Sequence, residues 1–178
     1  MRKVFPYLAP LLLLPLCGRA QETPQVEVFG GYSHLFANEN GPSFNLNGLD
    51  LSVTENINHW VGGALDFSSY YGPEAGYQVN TQTLMYGPVF SYLGMPHLTV
   101  FGEGLVGGVR GSAEYLNISK SIEHVAVAAG GGIDVNVTPR LDVRLLQADY
   151  LLTRFGGVRQ DNIRVSAGIV IRLGKTKK

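Results

Sequence analysis

Apolar and polar residues alternate with a period of two over most of the chain that follows residue 20. In residues 162–173, one set of alternate positions reads Ile, Val, Ala, Ile, Ile, Leu, while the other begins Asn, Arg, Ser, Gly. A period of two belongs to β-strands, whose successive side chains point to opposite faces. After residue 20 there is neither a helical period nor an apolar run of about 18 residues, the length a helical span needs. The chain is therefore predicted to be all-β.

Eight segments carry this alternation. They cover residues 25–36, 44–54, 60–70, 81–92, 98–110, 123–137, 140–154 and 162–173. Short connections over residues 55–59, 93–97 and 138–139 alternate with longer polar or glycine-rich ones over 37–43, 71–80, 111–122 and 156–161. Short turns at one end and long loops at the other are typical of an outer-membrane barrel, with both chain ends on the periplasmic side.

The predicted strands are long enough to cross a membrane. At roughly 10–14 residues they exceed the usual globular strand of about 5–6, and about 9–11 tilted residues cross a bilayer core. A sheet exposed to lipid has to close, because edge N–H and C=O groups find no water there. We therefore predict a closed eight-stranded antiparallel up-and-down transmembrane β-barrel over residues 21–178.

The first twenty residues are predicted to be a cleaved secretory signal peptide. Arg2 and Lys3 precede a short apolar segment over residues 4–16, and Gly18 and Ala20 place small residues at a cleavage site. Cys17, the single cysteine, lies within this segment and follows Leu16, where a lipidation site needs a small residue. The mature chain is thus expected to contain no cysteine. The 14 basic and 14 acidic residues balance, so no net charge favours nucleic acid.

The polarity of a membrane barrel is reversed, with apolar residues facing lipid and polar residues facing the lumen. Isolated charges in the lumen would be costly, so the inward acids and arginines are expected to pair into a hydrogen-bonded network that plugs it. The candidate lumen network comprises Glu27, Asp50, Asp66, Glu103, Asp134, Asp142, Arg144, Arg164 and Arg172.

Three local patterns add to this picture. Phe101 shares the parity of Glu103, so its ring is expected inside the barrel. Tyr150 has the opposite parity to Leu145, which predicts a β-bulge near Gln147 and Ala148. Aromatic residues near the strand ends are candidates for the interfacial girdles. They are Tyr32, Phe36, Trp60, Tyr70, Tyr71, Phe90, Tyr92, Tyr150 and Phe155.

The chain resembles a known family over its last third. Residues 130–144 read GGGIDVNVTPRLDVR, residues 145–155 LLQADYLLTRF, residues 162–174 NIRVSAGIVIRLG, and residues 26–33 VEVFGGYS. These segments resemble the bacterial outer-membrane β-barrels related to the OmpA transmembrane domain and OmpX. The resemblance implies an eight-stranded barrel among outer-membrane lipids, insertion by the outer-membrane assembly machinery, and no cofactor. The final strand departs from the family pattern because it ends at Leu173 and not on an aromatic residue.

Motifs that would indicate chemistry lack their context. Residues 102–107 match the G-x-G-x-x-G pattern, but no helix signal follows to bind a pyrophosphate. The four histidines do not have the spacing of a metal site. Ser33 and His34 are adjacent, so on a strand they point to opposite faces and cannot form a catalytic pair. No enzyme activity, cofactor or metal is expected.

The residues favour a structural or surface-interaction protein of the bacterial outer membrane, whose long loops contact an unidentified partner. Three alternatives remain at this stage. One is a secreted lipocalin-like barrel that binds an apolar small molecule, with apolar residues inward. The others are a lipid A-modifying barrel enzyme and a narrow passive channel.

Overall fold

A computed structural model describes residues 25–37, 44–58, 60–74, 77–95, 97–115, 118–155 and 158–174. The predicted signal peptide lies outside these residues. Within them the chain forms eight strands: β1 (Gln25–Ala37), β2 (Phe44–Asn56), β3 (Val61–Glu74), β4 (Tyr77–Met95), β5 (Leu98–Tyr115), β6 (Ile118–Thr138), β7 (Leu141–Phe155) and β8 (Val158–Leu173). Each strand pairs antiparallel with the next, and β8 pairs with β1. The predicted closed barrel is therefore confirmed.

Short turns join the strands at the end of the barrel that holds Gln25 and Leu173. The β2–β3 turn is capped by Asn58, whose Oδ1 accepts the backbone N–H groups of Trp60 at 2.8 Å and Val61 at 3.0 Å. In the β4–β5 turn, His97 has a φ of 63°, a left-handed conformation that is strained for a residue with a Cβ. The three predicted short turns are confirmed.

The long loops predicted at the opposite end are largely strand. The β3–β4 pairing continues to Glu74 and Tyr77, and the β5–β6 pairing continues to Tyr115 and Ile118. The β7–β8 pairing likewise continues to Phe155 and Val158, so the predicted loops over residues 71–80, 111–122 and 156–161 were wrong in extent. Their polar residues alternate too weakly to read as strand, but the neighbouring strand supplies the hydrogen bonds that keep them extended.

The predicted bulge in β7 lies at Leu145 and Leu146. The β7–β8 register shifts between Arg144 and Gln147, and both leucines face outward with exposed fractions of 58% and 47%. One extra residue therefore reverses the parity of the strand, about two positions before the predicted place. Because of this reversal, Asp149 faces the lumen and is 1% exposed.

The outer surface of the barrel is apolar. Exposed large apolar residues occur on every strand, for example Leu51, Leu65, Val106 and Ile169. They form the surface that a bilayer requires of a spanning barrel. Among the described residues, no helix is long and apolar enough to span a membrane.

Aromatic residues lie toward both ends of this apolar surface. Trp60 and Tyr92 contact each other near the short turns, with ring centroids 6.1 Å apart. At the other end Tyr32 and Tyr71 are each 55% exposed. Tyr70, predicted for a girdle, is instead fully buried in the lumen, because it has the parity of the inward residues of β3.

The half of the lumen away from the short turns holds apolar residues that the expectation of a polar interior did not include, interleaved with buried Thr83, Thr153 and Asn162. Above the charged residues, on the side away from the short turns, several apolar side chains pack together at exposed fractions of at most 5%. This layer comprises Leu35, Leu46, Met85, Leu105, Val109, Ala126, Ala128 and Leu151. The charged residues therefore occupy one level of the lumen and do not fill it from end to end.

Candidate functional site

Arg164 of β8 is the centre of the charged lumen. Its side chain is 1% exposed and lies among four carboxyl groups contributed by four other strands. Its Nη1 is 2.7 Å from Asp66 Oδ1, and its Nε is 2.7 Å from Asp149 Oδ2. Glu103 and Asp50 lie further away, at 3.5 and 3.8 Å. A planar guanidinium has five N–H donors in a fixed fork, so its separate nitrogens can contact several carboxylates at once.

Hydroxyl groups extend this cluster across the lumen. The Ser166 hydroxyl lies 2.8 Å from both Asp50 Oδ2 and the Ser33 hydroxyl. The Ser33 hydroxyl in turn lies 3.1 Å from the Tyr70 hydroxyl. These side chains belong to β1, β2, β3 and β8, so the hydrogen bonds connect strands that are far apart in the chain.

Arg144 of β7 forms the next level toward the short turns. Its Nε and Nη2 donate to the two carboxylate oxygens of Asp134, at 2.8 and 3.1 Å. Its Nη1 donates to Gln147 Oε1 at 2.6 Å. The guanidinium carbon lies 4.4 Å from the ring centroid of Phe29 and 4.1 Å from that of Phe101. Phe101 thus faces inward as predicted, and both rings make cation–π contacts with the arginine.

Arg172 lies closest to the short turns. Its Nη2 is 2.7 Å from Asp142 Oδ2, and its Nε donates to Glu27 Oε1 at 3.2 Å. Its Nη2 also lies 3.5 Å from the Thr99 hydroxyl. All nine residues of the predicted network therefore lie in the lumen, around three arginines that succeed one another along the barrel axis.

Gln147 connects two of these levels. It accepts a hydrogen bond from Arg144, and its amide nitrogen lies 2.9 Å from Glu103 Oε1 and 2.9 Å from Asp149 Oδ2. A neutral amide can accept from a cation and donate to carboxylates, so it suits this position. Glu103 and Asp149 are thereby held close together on one donor.

Two participants were missing from the predicted network. Asp149 was not included because the bulge reverses the parity of β7 before it. The outward parity of Tyr150 was the signal that would have placed its neighbour Asp149 inside. Gln147 was missed because an uncharged residue carries no requirement for a partner. With Asp149 included, seven acids face three arginines.

The lumen holds little free space at the level of Arg144. A cavity of about 10 Å³ lies between Glu27, Glu103, Asp134 and Arg144, beside the hydroxyl groups of Thr54, Ser91 and Thr99. Such a volume accommodates about one water molecule. Within the described strands, no three acids or histidines are arranged to hold a metal ion.

The remaining motifs lie in positions that separate their parts. Residues 102–107 belong to the continuous strand β5, with no helix after them to bind a phosphate. Ser33 is fully buried in the lumen, whereas His34 is on the outer face, where its Nδ1 contacts Asn47 Oδ1 at 2.8 Å. The two cannot act as a catalytic pair.

Comparison with known proteins gives a likeness in fold. No protein-family model and no curated protein matches the sequence. The solved structure of Neisserial surface protein A matches 83% of this chain and 97% of its own, with a TM-score of 0.74 and 14% identity. Ail, the attachment invasion locus protein of Yersinia pestis, matches 84% of this chain and 99% of its own, with a TM-score of 0.58 and 18% identity.

The N-terminal β-barrel domain of Pseudomonas aeruginosa OprF covers 86% of this chain and 100% of its own, with a TM-score of 0.57 and 13% identity. The chain has the fold of the eight-stranded outer-membrane β-barrels. This fold and the apolar outer surface place the chain in a bacterial outer membrane, as the sequence predicted. A soluble lipocalin-like barrel would require the opposite polarity.

Proposed function

We propose that this protein is a closed outer-membrane barrel with a structural or surface-interaction role. On this proposal the barrel anchors the chain and conducts no solute. Contacts outside the cell are made by the β-hairpins that rise above the membrane. The observation that supports the proposal is the dense packing of lumen side chains among the described residues, since a barrel without a pore leaves its outer surface and its hairpins as the places where it can act.

Two kinds of packing support a closed lumen. Three arginines and their carboxylate partners occupy the half nearer the short turns. The apolar layer around Leu105, together with buried Thr83, Thr153 and Asn162, occupies the half nearer the hairpins. An eight-stranded barrel is just wide enough for its own side chains. An ion that crossed would have to displace the contacts of Arg164 and then enter an apolar layer.

The β5–β6 hairpin supports a role outside the cell. The pairing of β6 with β7 ends at Ala126 and Thr153, whereas β6 pairs with β5 as far as Ile118. Residues 118–125 of β6 therefore continue beyond their pairing with β7, over roughly 26 Å of strand at about 3.3 Å per residue. Binding segments of proteins are commonly carried on such projections from a rigid scaffold. Attachment, which the name of the Yersinia pestis protein states for that protein, is one form of this role.

Two measurements test the proposal. The first is conductance of the refolded full chain in a planar lipid bilayer, where we expect no stable single-channel current. Reproducible channels that persist after repurification would contradict the closed lumen.

The second measurement is trypsin treatment of intact cells that display the chain. We expect cleavage at Lys120 in the β5–β6 hairpin, while the barrel keeps its faster migration in unheated samples on SDS gels. Protection of Lys120 on intact cells, together with its cleavage in lysed cells, would place the hairpin on the wrong side of the membrane.

A further inference from the structure

We propose that the outer face of β1–β3, just above the apolar surface, binds the uncharged sugar headgroup of a glycolipid in the outer leaflet. The site consists of Tyr32, His34, Phe36, Asn47 and Tyr71, here called the β1–β3 rim cluster. The inference rests on the proposed outer-membrane placement, which puts the hairpin end of the barrel outside the cell.

The position of the cluster is set by the change in polarity along β2. Its outward residues are Leu51 and Leu49, with exposed fractions of 51% and 63%, and then Asn47. Asn47 pairs with His34 of β1 on one side and with Tyr71 of β3 on the other. The cluster therefore lies where acyl chains end and lipid headgroups begin.

The polar groups of the cluster are organised before any ligand arrives. Asn47 Oδ1 accepts from the Tyr32 hydroxyl and contacts His34 Nδ1 at 2.8 Å. With the Asn47 amide in this orientation its oxygen only accepts, so His34 Nδ1 carries the proton. In the neutral ring this leaves His34 Nε2 as an acceptor, and the Asn47 amide nitrogen as a donor. An acceptor and a donor side by side match the hydroxyl groups of a sugar.

Aromatic surface surrounds these groups. Tyr32 and Tyr71 are each 55% exposed and Phe36 is 45% exposed. The Phe36 and His34 rings make an edge contact with centroids 4.5 Å apart, which restricts the orientation of the imidazole on the outer face of β1. The C–H face of a sugar ring packs well on such aromatic surfaces, whereas a phosphate does not.

The absence of charged groups from the cluster favours an uncharged sugar headgroup over a phosphate headgroup. The cluster contains no carboxylate, guanidinium or ammonium group, although phosphate recognition relies on arginine or lysine. Other described parts of the same rim are charged. Tyr150 donates to Asp161 at 2.7 Å on β7 and β8, and the exposed Arg110 is on β5. An uncharged sugar is thus favoured at β1–β3 over a phospholipid headgroup.

The test uses the full chain in phosphatidylcholine nanodiscs that contain a minor fraction of either monoglucosyl diacylglycerol or phosphatidylglycerol. The readouts are the NMR shifts of the His34 ring and the lipid retained after detergent washing, measured by mass spectrometry. We expect the glucolipid, and not phosphatidylglycerol, to shift the His34 signals and to be retained. Asn47→Leu should lower glucolipid retention about tenfold, because it removes the amide donor and releases the imidazole. His34→Leu should reduce retention as well, by removing the acceptor.

Tyr150→Phe is the matched control at the charged part of the rim, and we expect it to retain the glucolipid as the unmodified chain does. Equal effects of the two added lipids, or full glucolipid retention by Asn47→Leu, would overturn the proposal and leave an ordinary aromatic girdle. Each variant is first checked for faster migration of unheated samples on SDS gels. If the chain passes this check but does not bind the glucolipid, only the proposed site is refuted. If the chain never folds in lipid, the proposed outer-membrane barrel is refuted as well.

Discussion

Replacing Arg164 by methionine should destabilise the barrel more than any single change at its surface. The substitution keeps most of the side-chain volume but removes the cation that lies 2.7 Å from both Asp66 and Asp149. Breaking a buried ion pair by removing one partner costs about 3–5 kcal/mol, because the other charge stays buried. Whole domains are stable by only about 5–15 kcal/mol. At about 2 kcal/mol per M of urea, the unfolding midpoint should fall by about 2 M.

The assay is a urea titration of the chain folded in phospholipid vesicles. The folded fraction is read from the migration of unheated samples on SDS gels and from the fluorescence of Trp60, the single tryptophan. Arg164→Lys keeps the charge but loses the planar fork that reaches Asp66 and Asp149 from two different nitrogens, so we expect an intermediate loss. Arg140→Ala, at the exposed β6–β7 turn, is the control and should leave the midpoint unchanged. A decrease in the free energy of unfolding below about 1 kcal/mol for Arg164→Met would refute the reasoning, because buried carboxylates left without their cation should destabilise the barrel by more than that.

Three further predictions use the same titration. Arg144→Ala should lower the free energy of unfolding by about 3–5 kcal/mol, since it leaves the buried Asp134 carboxylate without its cation and removes the cation from the Phe101 ring. An unchanged urea midpoint would argue against the network. Gly130→Ala should cost about 1–3 kcal/mol, because a Cβ there would overlap the backbone oxygen of Ala148 as well as the Asp149 carboxylate. Gly104→Ala is its control, as a Cβ at that position meets nothing within 4 Å. Equal losses of stability in the two variants would show that the neighbours of Gly130 move to relieve the overlap. His97→Gly should raise stability by about 0.5–1 kcal/mol by removing the strain at φ 63°, whereas a decrease would mean that the turn does not prefer glycine.

Parity along single strands was enough to place most of the charged lumen. Asp50, Asp66 and Arg164 each alternate with apolar neighbours, so a membrane barrel can only turn them inward. The same argument placed Phe101 beside Glu103. It failed for Asp149 because a bulge depends on how β7 pairs with β8, which no pattern within one strand reports. Cleavage of the signal peptide and insertion by the outer-membrane assembly machinery stay predictions.

The extent of the hairpins was harder to predict. Residues 111–122 are polar and rich in small residues, and such composition is typical of loops. In the structure these residues continue β5 and β6, because each strand supplies the other with backbone hydrogen bonds that side-chain patterns do not record. The rim cluster also escaped prediction, since His34, Asn47 and Tyr71 come from three strands and meet only through their register.

The sequence by itself determined that this chain crosses a membrane as strands, how many strands there are, and which face of most strands turns to the lumen. These properties are local, because the alternation of side chains with a period of two depends only on neighbouring residues. Only the tertiary structure decided which acids surround which arginine, where the lumen changes from charged to apolar, and which rim residues meet. Those outcomes depend on the register between paired strands around a closed barrel. If one strand shifted by one residue against its neighbours, all of its own lumen side chains would face lipid instead.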